Sequence, residues 1–430
     1  LDRPFSWLQA IAGLISTCRA QCDSTNYTSN DTRNYFFNYN YDDQTMSIKA
    51  ETTFSLKDQL FNPETVGVFS SALRLAYPAF NRKAFDRDAA LAFPDLELKA
   101  RITFLADNLN QYLPKDFETA LGILQQALPP KLDPGKTDDD FGVFIWSVPA
   151  EWIAREGCTP ARIKSSLRFL REATMRFTAE SAIRPFLSRF PEETLAFVRG
   201  CSVDKNYHVR RLSSEGIRPY LPWAERVLLP PETVIDVLST LYADNTRYVT
   251  RSVANTMNDL SRVHPELVLS ALALWKAEGN QERVEFEWIA RHALRTLVNS
   301  DSAEALEFLG YAPKAKVRVS AVSASDLVEV GGMLEWEGQL YSQATQKLRL
   351  GLRVHYLKAN GSHSAKLFAM KDIEAKKDES YSLSKRVQFK PATTRTLYTG
   401  EHHVELVVNG SARGRASFIL KDNRFEGQSF

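Results

Sequence analysis

The feature that most narrows what this chain can fold into is a segment that returns about every forty residues. VRRLSSE (209–215), VTRSVAN (249–255) and IARHALR (289–295) align, with Val209, Val249 and Ile289 at one position and Arg211, Arg251 and Arg291 at another. The residue before each copy is His208, Tyr248 or Trp288. Upstream, RFTAESAIRP (176–185) follows RLSSEGIRP (211–219), setting Glu180 against Glu215 and Arg184–Pro185 against Arg218–Pro219 after a one-residue slip. A helical period of roughly 40–47 residues marks HEAT or armadillo arrays. Such arrays stack helix pairs so that equivalent helices line one surface. The repeated arginines are therefore predicted to form a stripe of guanidiniums along a groove. His208, Arg211 and Glu215, spaced i, i+3, i+7, share one helical face. Three polar groups there predict a face turned away from the core.

The whole chain is not a polycation, since its formal net charge is only +2. The distribution says more: residues 160–300 hold 20 Lys and Arg, of which 17 are Arg, against 16 Asp and Glu. Arginine suits bidentate contacts to phosphate or carboxylate. The competing reading pairs these arginines with acids on neighbouring repeats. Cys18, Cys22, Cys158 and Cys201 show no zinc-ligand spacing, which fits a reducing compartment without structural metal, and no cofactor is expected. No apolar run reaches the ~18 residues a spanning helix needs.

Along the chain, residues 1–45 differ from the rest. A short apolar run, Phe5–Ile15, precedes the tract YTSNDTRNYFFNYNYDD. A signal peptide is disfavoured by a poor cleavage site, and Met46 is expected to be the physiological start, with 1–45 a disordered or non-native extension. From Ser55 the pattern is helical, with Pro63 at a helix start, helices ending at Pro114 and Pro129–Pro130, a loop over 129–140, and a helix ending at Gly157. The repeats continue to about residue 310. From Pro313, runs such as KLRLGLRVHYL and HHVELVV alternate with period two between turns such as Asn360–Gly361 and Asn409–Gly410. About seven strands predict an antiparallel sandwich of immunoglobulin-like type without a cysteine pair. The predicted architecture is an all-α HEAT-like repeat solenoid over 46–312 followed by an all-β immunoglobulin-like sandwich over 313–430.

Three carboxylates, Glu180, Glu215 and Asp259, fall on the arginine-bearing faces. Tyr248, Arg251, Asn255 and Asp259 form one polar stripe, and Trp288, Arg291 and Arg295 another. Acids at the centre of a cationic groove would repel a phosphate ligand. They make sense if a positive charge sits within, or develops on, the bound polyanion. A base alkylated on a ring nitrogen is such a cation and leaves as a neutral molecule. The transition state at its sugar resembles an oxocarbenium ion, which carboxylates stabilise, and one of them can position or deprotonate water. Trp223 could lay its ring on the cation. Alternatively Glu180 and Glu215 bridge to arginines on adjacent helices, with Trp223 in the core.

FSLKDQLFNPETV (54–66), TMRFTAESAIRPF, HVRRLSSEGIRPYLPW, YVTRSVANTMNDLSRVHPE and WIARHALRTLVNSDSAEALEFLGY, in that order, resemble the AlkC group of HEAT-like-repeat DNA glycosylases. The 313–421 segment resembles the immunoglobulin-like domain that some members append. The resemblance implies monofunctional excision of cationic methylated bases, chiefly 3-methyladenine and also 3-methylcytosine, from double-stranded DNA, by a monomer with no membrane partner, in the bacterial cytoplasm. It implies Glu180, Glu215 and Asp259 as catalytic acids and Trp223 as an aromatic contact. His208, Arg210, Arg211, Arg218, Arg251, Arg291 and Arg295, with Tyr248 beside them, are implied on the DNA side. Two departures stand out: Thr250 occupies a position where many relatives carry a second Arg, and Met257 one where an aliphatic or His is usual. A non-catalytic HEAT scaffold binding DNA or an acidic protein is the rival reading.

Overall fold

A computed structural model describes residues 55–133, 135, 142–390 and 396–422. The expectations for residues 1–45 lie outside the described residues. Helices come first: α1 (Leu56–Leu60), α2 (Pro63–Ala76), α3 (Arg82–Ala92), α4 (Leu98–Tyr112), α5 (Phe117–Ala127), α6 (Ser147–Glu156), α7 (Ile163–Thr174) and α8 (Arg184–Arg189). There follow α9 (Pro191–Ser202), α10 (Tyr207–Glu215), α11 (Pro231–Ser239), α12 (Arg247–Ser261), α13 (Pro265–Glu278), α14 (Arg283–Ala293), α15 (Arg295–Asn299) and α16 (Ala303–Phe308).

Local chemistry sets these boundaries. Pro63, Pro191, Pro231 and Pro265 each open a helix at its first turn, where the missing N–H costs nothing. Asn62 also closes a capping box with Thr65. In the repeat region α9, α11 and α13 form one layer and α10, α12 and α14 the other, with α10 packed on α12 and α12 on α14. Asp204 and Asp244 each fold the turn before an inner helix by accepting the N–H two residues on, Asn206 and Thr246. The same carboxylates receive Arg171 from α7 (2.6 Å) and Arg210 from α10 (2.5 Å). Arg247 on α12 extends the ladder to Glu285 on α14. Each rung ties one repeat to the next, so Arg210 is committed to this ladder.

The upstream copy departs from the expected helix. After α7 the chain forms a bridge from Phe177 to Gly142, and Glu180 lies in the turns before α8. Gly142 sits at φ +82°, and a Cβ there would lie 1.9 Å from the Arg176 carbonyl oxygen, so this close approach requires glycine.

Eight strands follow: β1 (Val317–Ala324), β2 (Leu327–Glu329), β3 (Met333–Ser342), β4 (Gln346–Leu357), β5 (His363–Ala375), β6 (Ser380–Gln388), β7 (Gly400–Val408) and β8 (Ser411–Lys421). They form sheets ordered β1-β3-β6 and β2-β8-β7-β4-β5 around a core containing Trp336, Leu352, Val404 and Phe418. Both Asn-Gly turns join hairpins as expected. The sandwich is not wholly antiparallel, however. Gly331, at φ +96°, breaks LVEVGGMLEWEGQL into two strands, and β2 pairs in parallel with β8.

The β7–β8 turn also fastens the sandwich to the last helices. Asn409, at φ +47°, accepts Arg349 N–H (2.8 Å) and donates to the Ala312 carbonyl (3.0 Å). Tyr311 donates to Asp372 (2.7 Å), and Arg353 links Asp301 to Glu405.

Candidate DNA-facing site

The three candidate acids come together. Arg211 Nη1 stands 3.5 Å from Glu180 and Nη2 stands 3.6 Å from Glu215. Arg218 Nη1 is 2.5 Å from the other oxygen of Glu215, and its Nε is 2.9 Å from Asp259. Acids and arginines thus alternate in one chain from Glu180 to Asp259. All three carboxylates are buried, with Glu215 only 2% exposed. Glu215 ends α10 and Asp259 lies in the last turn of α12. An acid at a helix C-terminus faces the negative end of the macrodipole, so the two arginines are what make the placement tolerable.

The environments separate the acids electrostatically. Burial pushes Glu180 above the ordinary carboxylate range, with Arg211 opposing. Burial likewise raises Asp259 against Arg218. For Glu215, burial acts upward, but Arg218 and Arg211 together outweigh it and hold the group at about 2. Glu215 is thus a fixed anion flanked by two acids that take up protons more readily, the kind of split that assigns different roles to neighbouring carboxyls.

Trp223 is not a core residue. It is 68% exposed, in the segment between α10 and α11, at φ +60°. That conformation costs a bulky side chain roughly 1–2 kcal/mol.

Several expected DNA contacts are corrected. His208 and Tyr248 are 2% and 3% exposed, so they lie inside the repeat stack. Their rings meet edge-on at 5.4 Å, and the Arg211 guanidinium lies 4.5 Å over Tyr248. Burial, then the charge of Arg211, lowers His208 to about 4. Arg211 and Arg218 are enclosed by the acids. The arginine column is therefore not one continuous stripe: Arg211 is buried, Arg251 half-buried and Arg291 exposed. Arg295 is held by the His292 carbonyl (2.5 Å) and Asn255 (3.2 Å). Trp288 stacks on His292 at 4.9 Å. Thr250 is buried and donates to Glu285 (2.5 Å), so this position serves the repeat interface.

Sequence reasoning missed Arg184. It aligns with Arg218, yet it is fully buried and donates to the carbonyls of Gly216, Pro219 and Glu225. Its only signal was the repeated Arg-Pro pair.

Helix pairs with inter-repeat arginine rungs, followed by this sandwich, define a HEAT-like repeat protein with an appended immunoglobulin-like domain. A family profile described as "Uncharacterised protein YhaZ, C-terminal Ig-like domain" matches residues 318–422. The uncharacterized protein YhaZ of Bacillus subtilis is 30% identical over 365 residues, covering 84% of this chain and 98% of that protein. The solved structure of the Pseudomonas fluorescens alkylpurine DNA glycosylase AlkC, bound to DNA containing an abasic-site analogue, superposes with a TM-score of 0.75. It is 32% identical and covers 86% of this chain and 100% of that one. The chain belongs to the AlkC-type family of HEAT-like-repeat DNA glycosylases. Among the described residues, no helix is long and apolar enough to cross a membrane.

Proposed function

We propose that this protein is a monofunctional DNA glycosylase that hydrolyses the N-glycosidic bond of cationic alkylated bases, 3-methyladenine and 3-methylcytosine, in base excision repair. The observation that carries the reading is Glu215, an anion fixed by two arginines, between two acids of raised affinity for protons. Glu215 supplies a permanent negative charge for the developing oxocarbenium ion. Glu180 or Asp259, the better bases, position and deprotonate the attacking water. Water is the nucleophile. Trp223 stacks on the cationic nucleotide. Arg251, Arg291 and Arg295 contact the phosphates. The catalytic unit is residues 46–312, acting as a monomer on double-stranded DNA in the cytoplasm at the nucleoid.

One observation favours a second reading. Each of the three acids has an arginine partner, as a non-catalytic DNA-binding scaffold would have. Base release from DNA carrying 3-methyladenine separates the two. The enzyme releases free base and stops doing so as Glu215→Gln with DNA affinity intact, whereas the scaffold binds without release.

A further inference from the structure

Arg184 and Arg218 are repeat equivalents with opposite employment. Arg218 pairs with acids, whereas Arg184 turns its guanidinium on the backbone of the next repeat. Its Nε donates to the Glu225 carbonyl, Nη1 to Gly216 (3.0 Å) and Nη2 to Pro219 (3.5 Å). Gly216 and Glu225 lie on either side of Trp223, so one buried side chain grips both ends of the segment that carries the exposed indole. The grip needs close approach: a Cβ on Gly216 would lie 2.7 Å from Ile183 Cγ2, beside Arg184. From the other side Lys99, exposed on α4 and 124 residues away in sequence, donates to the Trp223 carbonyl itself. A bulky residue at φ +60° persists only where its surroundings over-determine it, and these two cations supply that determination.

We infer that Arg184 and Lys99 are positioning residues that hold Trp223 in its left-handed conformation with the ring presented to the alkylated nucleotide. Neither touches substrate; both act through Trp223. The inference rests on the proposed glycosylase reading for its consequence in catalysis, but not for its geometry. Losing either tether lets the backbone relax to negative φ and swings the indole away from its presented position.

The test is a double-mutant cycle in single-turnover base release, with 3-methyladenine DNA as the probe. Lys99→Ala and Arg184→Lys each slow release, on the order of 10- to 100-fold for a misplaced contact. Neither slows it further when Trp223→Ala is already present. Lys99→Arg, which keeps a donor, restores the rate. Because Lys99 is exposed, its variant tests the idea even if Arg184→Lys destabilises the fold. Losses that multiply with Trp223→Ala, or no loss at all, would overturn the inference. A second readout does not need activity. In protein labelled with 5-fluorotryptophan, the Trp223 fluorine resonance, identified by its loss in Trp223→Phe, shifts or broadens in Lys99→Ala while Trp146 and Trp152 stay unchanged. If wild type releases no base, the function fails on its own, and this resonance decides the tether: an unmoved signal rejects it.

Discussion

Replacing Arg218 with Met removes the cation shared by Glu215 and Asp259 while roughly keeping its volume. It leaves two carboxylates, with side chains 3% and 5% exposed, short of their nearest partner. Breaking a buried pair from one side costs about 3–5 kcal/mol. Glu215 gives an independent figure. Its depression from the ordinary 4.5 to about 2 corresponds to about 3 kcal/mol of folded-state stabilisation. Because the folded value is depressed, this contribution is fully present above pH 4.5 and is lost as pH falls through about 2. Without Arg218 the depression is largely gone, and Glu215 and Asp259 take up protons on acidification. The gap between wild type and variant is therefore about 3 kcal/mol near neutral pH and narrows in acid. Urea unfolding across pH reads it as a shift in midpoint at unchanged slope. A gap below about 1 kcal/mol, or one that does not change with pH, is what a solvated surface pair gives, and it would refute the buried-cluster argument.

Other predictions follow from the same geometry. His208, lowered from 6.5 to about 4, makes wild type lose about 3 kcal/mol between those pH values, because the unfolded chain protonates first. His208→Phe removes that share of the slope in urea midpoints against pH and leaves the share of His292, itself lowered to about 3 by burial; an unchanged slope places the titration elsewhere. Arg291→Ala lowers the slope of log K against log salt by about 0.9, whereas Arg210→Ala, tied to Asp244, lowers stability and leaves the slope alone; the reverse pattern would exchange their roles. Asn409→Ala unpairs the Arg349 N–H and the Ala312 carbonyl, costing about 1–3 kcal/mol, and speeds tryptic cleavage at Lys314 and Lys316; equal cleavage would show that the turn does not fasten the sandwich.

What the sequence revealed, it revealed through periodicity and backbone-specific residues. The forty-residue interval put α10, α12 and α14 in one layer because each copy meets the next in the same way. Pro63 and the two Asn-Gly pairs marked their elements because φ limits are intrinsic to those residues. Side-chain partners were harder to foresee. The polar face of His208, Arg211 and Glu215 was expected to be open, but a stack of repeats buries it, and the acids and arginines satisfy one another there. Spacing places residues on a face without saying whether the face meets solvent or another helix. Arg184 and Arg218 occupy equivalent positions, and only the path of the segment after α10 gives one backbone carbonyls and the other carboxylates. The parallel β2–β8 pairing escaped because three residues of alternating pattern carry no direction.

The most direct measurement is single-turnover release of 3-methyladenine by wild type and Glu215→Gln at saturating DNA, with affinities for the same duplex measured alongside. Release by wild type, with a loss of on the order of 100-fold or more in the variant at matched affinity, is the predicted result, set by the about 3 kcal/mol scale of an electrostatic stabiliser. Equal release by both proteins would contradict the role given to Glu215. Binding without release by wild type would leave a DNA-binding scaffold in place of the enzyme.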